Sequence, residues 1–521
     1  MGGFGDLLAS LIRESIMHHC GGLSEVSEPR FQRHPVAEMN WPLVDDGGRR
    51  DDRGDSPFCD VGNGQTHLFQ QLQTADLQPL DIHDIADMTG KIDLVGIHFK
   101  FTRHSSHTMQ TSTLALLFCV APLLAQSLPR LASAGLTFAA EDGSLVIRSV
   151  ARDGNAARAG LLPADVVVAV DGTPVEATGV FVRPLLRRTA PALLRLSIRR
   201  AGRSLDIQLH CAAPPDEPGV VYGALAVRDH LRRTLLTMPS GAGKHPAILF
   251  LPGSGCSTQE SPNRNATESR ILHGLTAGGF ATLRVEKPSV GDSTGPPCYS
   301  AQSDLNLDVE TYRTALTFLE EHPAIDPDRL FLFDHSAGAS LAPLVAKERK
   351  LRGIVLAGAM GTKFYDYVLA MRRRMAVLGQ QPPAKFELAR SCLTRLLKHG
   401  ESAEAIVAAQ PACRSDVYFD SPPAYITQWN ALDLAAAWQA LREPGLMLYG
   451  TADFVSSEAE SRALLAKIRS RSKQLLTLPM DHGFLALATP QQAWNAEGGK
   501  GPAPEFYAPV IDRIRDWLNR R

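Results

Sequence analysis

Residues 331–339 read FLFDHSAGA, and this stretch decides the fold. The apolar run Leu330–Phe333 predicts a buried strand, and the residues from 338 to 348 predict a helix. Between them, Asp334-His-Ser-Ala-Gly338 matches the pattern G-x-S-x-G except at its first position. That pattern holds a serine on a sharp turn between strand and helix, with its hydroxyl exposed. The stretch therefore predicts an accessible Ser336 and raises the question of what Asp334 does there.

The same rhythm of strand and helix continues on both sides of this stretch. Strands are expected at 245–251, 281–286, 330–333, 353–356, 445–449 and 473–478, and helices at about 265–278, 304–321, 338–348, 456–469 and 506–520. Apolar strands that alternate with helices predict an α/β fold, with a doubly wound, mostly parallel sheet. Two more polar strands, at about 222–230 and 232–238, precede it. Residues 361–435 break the rhythm and are interpreted as a helical cap insertion.

Two further polar residues follow strands of this sheet. Asp453 comes after the strand that ends at Tyr449, and His482 comes after the strand that ends at Leu478. Loops at the carboxyl ends of parallel strands share one edge of the sheet, so Ser336, Asp453 and His482 are expected to meet. In such a triad the imidazole takes the serine proton, while the carboxylate orients the imidazole. Taken singly, a helix N-cap, a turn residue and a surface histidine are the plainer readings.

A fourth loop is rich in small residues and follows the strand 245–251. It contains Gly253, Ser254, Gly255 and Cys256, whose backbone N–H groups can approach a developing negative charge closely. A further donor is expected at the N–H of Ala337, directly after the serine and at the start of a helix. The pattern predicts an oxyanion hole.

These motifs resemble those of the α/β-hydrolase family over residues 220–521, and of a secreted bacterial subgroup in particular. The resemblance implies a serine hydrolase that cleaves an ester or related acyl bond through an acyl-enzyme and needs no cofactor or metal. A peptidase of the same fold is the alternative. Residues 284–298, RVEKPSVGDSTGPPC, resemble a family loop with an aspartate-arginine-glycine core. There Asp292 and Ser293 are expected to shape the active-site loop, either as substrate contacts or as part of a turn.

Asp334 is the main departure from the family pattern, while His335 and Gly338 complete the elbow. Glycine at the first position relieves crowding between strand and helix. A carboxylate there adds charge near the imidazole, which is expected to raise the histidine pKa and slow the enzyme. The competing hypothesis is a catalytically inactive peptide-binding protein, of which Asp334 is the sign.

A smaller β-rich domain is expected at 134–211. Residues 154–175, GNAARAGLLPADVVVAVDGTPV, resemble the PDZ domains of bacterial envelope proteins. Gly135, Leu136, Thr137 and Phe138 resemble the loop with which those domains bind a peptide carboxyl terminus. A packing module without a ligand is the alternative. A Pro-rich linker, 212–221, separates this domain from the hydrolase domain, 222–521.

The N-terminal part has the pattern of an export signal. The apolar stretch Leu114–Leu124 is too short to span a bilayer but suits a signal peptide over 109–133, although no basic residue precedes it after Met109. Small residues follow at Ala125 and at 132–134. A buried helix or strand is the alternative. Residues 1–108, with eight of the sixteen histidines, are interpreted as a non-native upstream extension or as a poorly ordered native one.

The net charge and the cysteine spacing further limit the possible partners and the possible metal and disulfide sites. A formal net charge of −1 gives no indication of nucleic-acid binding or of an anionic membrane surface. The eight cysteines form no CxxC pair, so a zinc site is not expected. In a secreted or periplasmic protein, bridges 256–298 and 392–413 are expected, with Cys211 left over; free thiols are the alternative. The expected partners are a small-molecule ester or peptide substrate and a peptide carboxyl terminus, with no membrane span in the mature chain.

Overall fold

The computed structural model describes residues 93–94, 97–98, 128–141, 144–175, 187–418 and 421–521. The extension 1–108 lies outside these residues except for a short antiparallel pair, Asp93–Leu94 (β1) and Ile97–His98 (β2). The signal peptide predicted at 109–133 lies outside them up to residue 127. No helix of the described residues is long and apolar enough to cross a membrane.

The described chain divides into two compact units. One consists of Ser133–Arg188 and Ala192–Cys211; the other contains Thr189–Pro191 and Ala212–Arg521, together with residues 128–132. The smaller unit thus ends at Cys211.

The smaller unit is an antiparallel sheet with one short helix. Its strands are Leu136–Glu141 (β3), Ser144–Val150 (β4), Val166–Val170 (β5), Thr173–Pro174 (β6), Ala192–Arg200 (β7) and Arg203–Cys211 (β8), and its helix is Asn155–Arg158 (α1). The order is β3-β4-β5-β7-β8, so β3 is an edge strand of this sheet. Alternate residues of β7 are buried, as the period of two in its sequence predicts.

The larger unit is built on an eight-stranded sheet. Its strands are Val220–Val227 (β9), His230–Thr237 (β10), His245–Leu251 (β11), Ala281–Val285 (β12), Ile325–His335 (β13), Gly353–Ala357 (β14), Gly445–Gly450 (β15) and Lys473–Leu478 (β16). The order is β16-β15-β14-β13-β11-β12-β10-β9. The strands from β11 onwards pair in parallel, whereas β10 is antiparallel to both β12 and β9. The sheet is thus mostly parallel, as predicted.

Helices cover both faces of this sheet. Along β13, Leu330 and Leu332 face one apolar core, while Phe331 and Phe333 face the other. Both faces are apolar because each is packed under helices, which explains the unbroken apolar runs of the sequence. The helices are Thr267–Ala277 (α2), Leu305–Glu321 (α3), Ala337–Val345 (α4), Glu458–Lys467 (α11), Pro490–Glu497 (α12) and Pro509–Asn519 (α13).

The predicted insertion is helical and lies between β14 and β15. It contains Phe364–Leu378 (α5), Pro383–Leu397 (α6), Ala403–Ala409 (α7), a 3₁₀ turn Pro411–Cys413, Arg414–Val417 (α8), Pro423–Ala431 (α9) and Leu434–Ala440 (α10). The bridge Cys392–Cys413 closes part of it. The second predicted bridge, Cys256–Cys298, is also present, and Cys211 is a buried free thiol.

The linker predicted at 212–221 ends in a buried ionic anchor. Glu217 is 1 % exposed and accepts hydrogen bonds from Arg284, His273 and the Ser261 N–H. Burial alone would raise the pKa of this carboxyl, but the His273 and Arg284 bonds lower it to about 2. The ionised carboxylate fixes the second half of the linker to the larger unit, whose first strand begins at Val220.

Candidate active site

The turn between β13 and α4 holds Ser336 in a strained conformation. Its φ is 54° and its ψ is −118°, a combination that non-glycine residues rarely adopt. Its N–H donates to the Ala357 carbonyl at 2.7 Å, which ties the turn to the end of β14. A Cβ on Gly338 would lie 2.2 Å from the Leu251 carbonyl oxygen, so only glycine fits at that position. The sharp strand–turn–helix geometry expected around Ser336 is therefore present.

Asp453 and His482 form a hydrogen-bonded pair at the same edge of the sheet. The His482 Nδ1 lies 3.0 Å from the Asp453 Oδ2. The other partners of the Asp453 carboxylate are the Val455 N–H and both the N–H and hydroxyl of Ser456. Burial would raise the pKa of Asp453, but the charge and hydrogen bond of His482 and the Ser456 bonds hold it below its usual value. The carboxylate is thus ionised and fixed in orientation.

The His482 ring packs against a glycine that follows β14. A Cβ on Gly358 would lie 2.5 Å from the His482 Cε1, and the φ of Gly358 is +71°. Since the preceding residue, Ala357, binds the Ser336 N–H, this short segment brings serine and imidazole to one place. Burial lowers the His482 pKa, but the charges of Asp453, Asp481 and Glu268 outweigh it, and the net shift is upward.

His335 links the elbow to the loop that carries His482. Its Nε2 donates to the His482 carbonyl at 2.9 Å, and its Nδ1 lies 3.3 Å from the Glu268 Oε1 on α2. The His335 ring also packs on Phe484, with the ring centroids 4.8 Å apart. Burial would raise the Glu268 pKa, but its bond to His335 lowers it to about 2. An ionised carboxylate therefore lies close to the elbow.

The small-residue loop after β11 lies beside the serine. A Cβ on Gly253 would be 3.2 Å from the Ser336 Cβ and 3.7 Å from its Oγ, so the bare glycine leaves room there. The Gly255 N–H is already engaged, because it donates to the Tyr299 hydroxyl at 2.8 Å. Cys256 ties the loop to Cys298. Ala337 is the first residue of α4, a position whose N–H has no acceptor within the helix.

Asp334 lies inside the sheet and faces away from His335. Its register partners are Leu251 and Leu356, both in the apolar core that also holds Leu332. The side chain is fully buried, and neither carboxyl oxygen has a hydrogen-bond partner among the described residues. Burial raises its pKa well above the usual value, which favours the neutral, protonated form of the carboxyl. This revises the expectation that an Asp334 charge raises the histidine pKa.

Asp292 and Ser293 lie on the side of their loop that faces β10. The Asp292 carboxylate accepts from Arg233, Arg130 and the Leu131 N–H. The Ser293 hydroxyl accepts from the Arg233 N–H. These bonds fix residues 128–131 and the loop to the sheet. These hydrogen bonds of the two side chains are structural.

The carboxylate-loop residues of the smaller unit precede and enter β3. Gly135 has a φ of +70°, and its carbonyl accepts from the Ala151 N–H at 2.9 Å. Thr137 shares a hydrogen bond with Ser149 on β4, while Leu136 and Phe138 are half-buried. An edge strand that follows a glycine turn has the geometry needed to accept a further strand.

Several contributors to the site carry no sequence motif. Glu268, Lys287, Gly358 and Ser456 each contact the elbow, its loops or its histidine through groups that no spacing rule marks. The available signal was the stretch 286–288, Glu-Lys-Pro, which stands where the family loop has its aspartate-arginine-glycine core. No group of three or more histidine, cysteine or acidic side chains in the described part of the chain is arranged to hold a metal ion.

Family models match both units. Residues 248–497 match the model described as alpha/beta hydrolase family, and residues 132–210 match the PDZ domain model.

The individual relatives share low sequence identity with this chain or match only a short part of it. Esterase EstD of Thermotoga maritima is 22 % identical over 284 residues, which cover 54 % of this chain and 64 % of EstD. Polyketide transferase ATR5 of Stachybotrys chlorohalonatus is 34 % identical over 115 residues, 20 % of this chain and 37 % of that protein. The matched part of the chain thus spans less than two thirds of each relative. Among solved structures, a proline iminopeptidase of Mycobacterium smegmatis is 13 % identical with a TM-score of 0.39, covering 58 % of this chain and 98 % of its own.

Proposed function

We propose that this chain, which carries an α/β-hydrolase domain behind a PDZ domain, is a serine hydrolase that cleaves a carboxylic ester or related acyl bond. Ser336 is the nucleophile, His482 the general base and then acid, and Asp453 the carboxylate that orients the imidazole. The observation that carries the proposal is the pairing of the His482–Asp453 hydrogen bond with the strained Ser336 elbow at one edge of the sheet.

The reaction has two steps. The Ser336 hydroxyl attacks the acyl carbon as its proton passes to the His482 Nε2, and the leaving alcohol departs with that proton. Water then attacks the acyl-enzyme, gives its proton to His482, and releases the acid and the free serine. The negative oxygen of each tetrahedral intermediate is held by the N–H groups of Ser254 and Ala337. We choose Ser254 because the Gly255 N–H is occupied by Tyr299.

The proposal is tested with p-nitrophenyl esters of several chain lengths against matched anilides. We expect ester hydrolysis that falls by about 10⁴-fold or more in Ser336→Ala, the order of loss known for serine nucleophiles. Activity that survives in Ser336→Ala would contradict the assignment.

Peptide cleavage is the second candidate, because a PDZ domain can bind the end of a peptide and so retain a peptide substrate. It is favoured if anilides and peptides are cleaved faster than esters. An inactive hydrolase domain is less well supported, since the neutral Asp334 leaves the pairing of His482 with Asp453 intact.

We also propose export to the periplasm or the medium, with a signal peptide that begins at Met109. It would have to end before Leu128 and not at 133, because Arg130 and the Leu131 N–H bind Asp292 in the folded chain; Ala125 is a small residue in a suitable place. Both predicted disulfides support this, because such bridges persist in oxidising compartments. The PDZ domain would bind a peptide carboxyl terminus at Gly135–Phe138. Intact-mass measurement of the exported protein, with and without reductant, tests the bridges: full reduction should add four alkylation sites to those of the unreduced protein.

A further inference from the structure

Lys287 lies behind the loop that borders Ser336. Its ammonium donates to the Gly253 carbonyl at 2.6 Å and to the Gly255 carbonyl at 3.0 Å. The side chain is half-buried and lies 5.6 Å from the centre of the Tyr299 ring. These contacts place the Lys287 charge against the loop and not in open solvent.

Each of those carbonyls belongs to a peptide group that also carries an N–H. The Gly253 carbonyl shares its peptide with the Ser254 N–H, and the Gly255 carbonyl shares its peptide with the Cys256 N–H. A trans peptide is planar, and its C=O and N–H point in opposite directions. When both carbonyls turn toward Lys287, both N–H groups turn away from it.

The third N–H of the loop, that of Gly255, is not available to a ligand because it already has an acceptor. The Gly255 N–H donates to the Tyr299 hydroxyl at 2.8 Å. The segment that carries Lys287 and Tyr299 therefore binds two carbonyls and one N–H of the loop, and the Cys256–Cys298 bridge adds a covalent tie. The N–H groups left for a ligand are those opposite the ammonium.

We infer that Lys287 is a positioning residue for the oxyanion hole: its ammonium orients and polarises the Gly253–Ser254 peptide so that the Ser254 N–H faces the reacting oxygen. Its second bond, to the Gly255 carbonyl, holds the loop in that conformation. A hydrogen bond to a carbonyl strengthens the N–H of the same peptide as a donor, since chains of hydrogen bonds polarise one another. The inference rests on the proposed function, because it assigns a role in that reaction.

The test compares Lys287→Met, which keeps the apolar stem without the charge, with Lys287→Arg, whose guanidinium can still donate to both carbonyls. We expect kcat for a p-nitrophenyl ester to fall by about 10- to 100-fold in Lys287→Met, somewhat less than the loss of a whole oxyanion donor. KM should stay within about twofold, and Lys287→Arg should recover most of kcat. The matched control is the exposed Lys347→Met, with unchanged kinetics.

A transition-state analogue separates this role from a general structural one. The inhibition constant of a boronic acid should rise in Lys287→Met by about the same factor as kcat/KM falls, because the analogue uses the same donors. If Lys287→Met does not fold, Lys287→Gln, with one amide donor, should show an intermediate loss.

The outcomes distinguish the two proposals. A wild-type protein that neither hydrolyses esters nor binds the boronic acid contradicts the proposed function. A wild-type protein that does both, with kcat and inhibition constant in Lys287→Met or Lys287→Gln within about twofold of its own, overturns the inference about Lys287 alone.

Discussion

The two aspartates close to the elbow, Asp453 and Asp334, differ in their electrostatic surroundings. Asp453 is held ionised by His482 and Ser456, whereas Asp334 is buried inside the sheet, has a raised pKa and has no hydrogen-bond partner among the described residues. In the proposed mechanism the first orients the base, whereas the second contributes volume inside the sheet. Two carboxyl groups of the same type thus differ because one has hydrogen-bond donors and the other has none among the described residues.

The neutral Asp334 predicts a pH-dependent cost in stability. A carboxyl with a raised folded-state pKa binds its proton more tightly when folded, so its contribution falls as pH rises above the unfolded pKa of about 4. Asp334→Asn removes this titration. We expect the free energy of unfolding of the variant, relative to wild type, to increase between pH 4 and pH 8 in denaturant titrations, with kcat within about twofold. A difference that is constant with pH would contradict a neutral Asp334.

The raised His482 pKa predicts the acid limb of the activity profile. The base must be neutral, so kcat/KM should fall with decreasing pH around a midpoint above the usual histidine value of about 6.5. Asp453, Asp481 and Glu268 are the charges that raise it. Glu268→Gln should therefore move the midpoint to lower pH, whereas the exposed Glu321→Gln should leave it in place. A midpoint that moves upward in Glu268→Gln would refute this electrostatic account.

At the scale of elements, the site depends on how loops are tied together at the carboxyl edge of the sheet. The loop after β11 is bound by the segment that follows β12, through Lys287, Tyr299 and the Cys256–Cys298 bridge. The bridge Cys392–Cys413 lies in the helical insertion instead. The two bridges therefore serve different parts of the unit.

Removal of each bridge should separate activity from stability. We expect Cys256→Ala/Cys298→Ala to lower kcat by about 10-fold, because the oxyanion loop loses a tie. Cys392→Ala/Cys413→Ala should keep kcat and lower the free energy of unfolding by about 3 kcal/mol, the usual value for a loop of this size. Steady-state kinetics and denaturant unfolding measure both. Equal kcat in the two double variants would argue against a role of the first bridge at the site.

The strands of the sheet could be predicted from sequence, whereas the supports of the site could not. Leu330–Phe333 is an unbroken apolar run because both faces are covered, and this pattern is visible without a structure. Lys287 binds backbone carbonyls. Every residue has one, so the sequence does not indicate which of them Lys287 binds. The state of Asp334 depends on its apolar neighbours from β11 and β14, which lie far away in sequence. Local sequence patterns therefore predict the strands and helices. The protonation and orientation of the site residues depend on neighbours that are distant in sequence.

At the scale of the whole molecule, the chain joins a hydrolase domain to a PDZ domain. The larger unit fixes its own linker through Glu217 and holds residues 128–131 through Asp292. The smaller unit has β3 at one edge of its sheet. Each unit therefore has its own candidate binding site: the edge strand β3 in the smaller unit and the surroundings of Ser336 in the larger one.

The PDZ domain should distinguish free carboxyl termini from blocked ones. We expect an array of C-terminal hexapeptides to yield binders as free acids and not as amides, since the loop would bind the carboxylate. Gly135→Ala should weaken binding by about 10-fold, because its φ of +70° strains any side chain. Gly202→Ala, at a turn with a φ of +78°, is the matched control. Equal binding of acids and amides would contradict this mode.

The central claim is that Ser336 is an activated nucleophile on a strained elbow. A fluorophosphonate probe, followed by peptide mapping of the full-length protein, tests it most directly. We expect one labelled residue, Ser336, with labelling lost in Ser336→Ala and slowed in His482→Ala because the base is missing. A wild-type protein that is not labelled, or a label mapped to another residue, would contradict it.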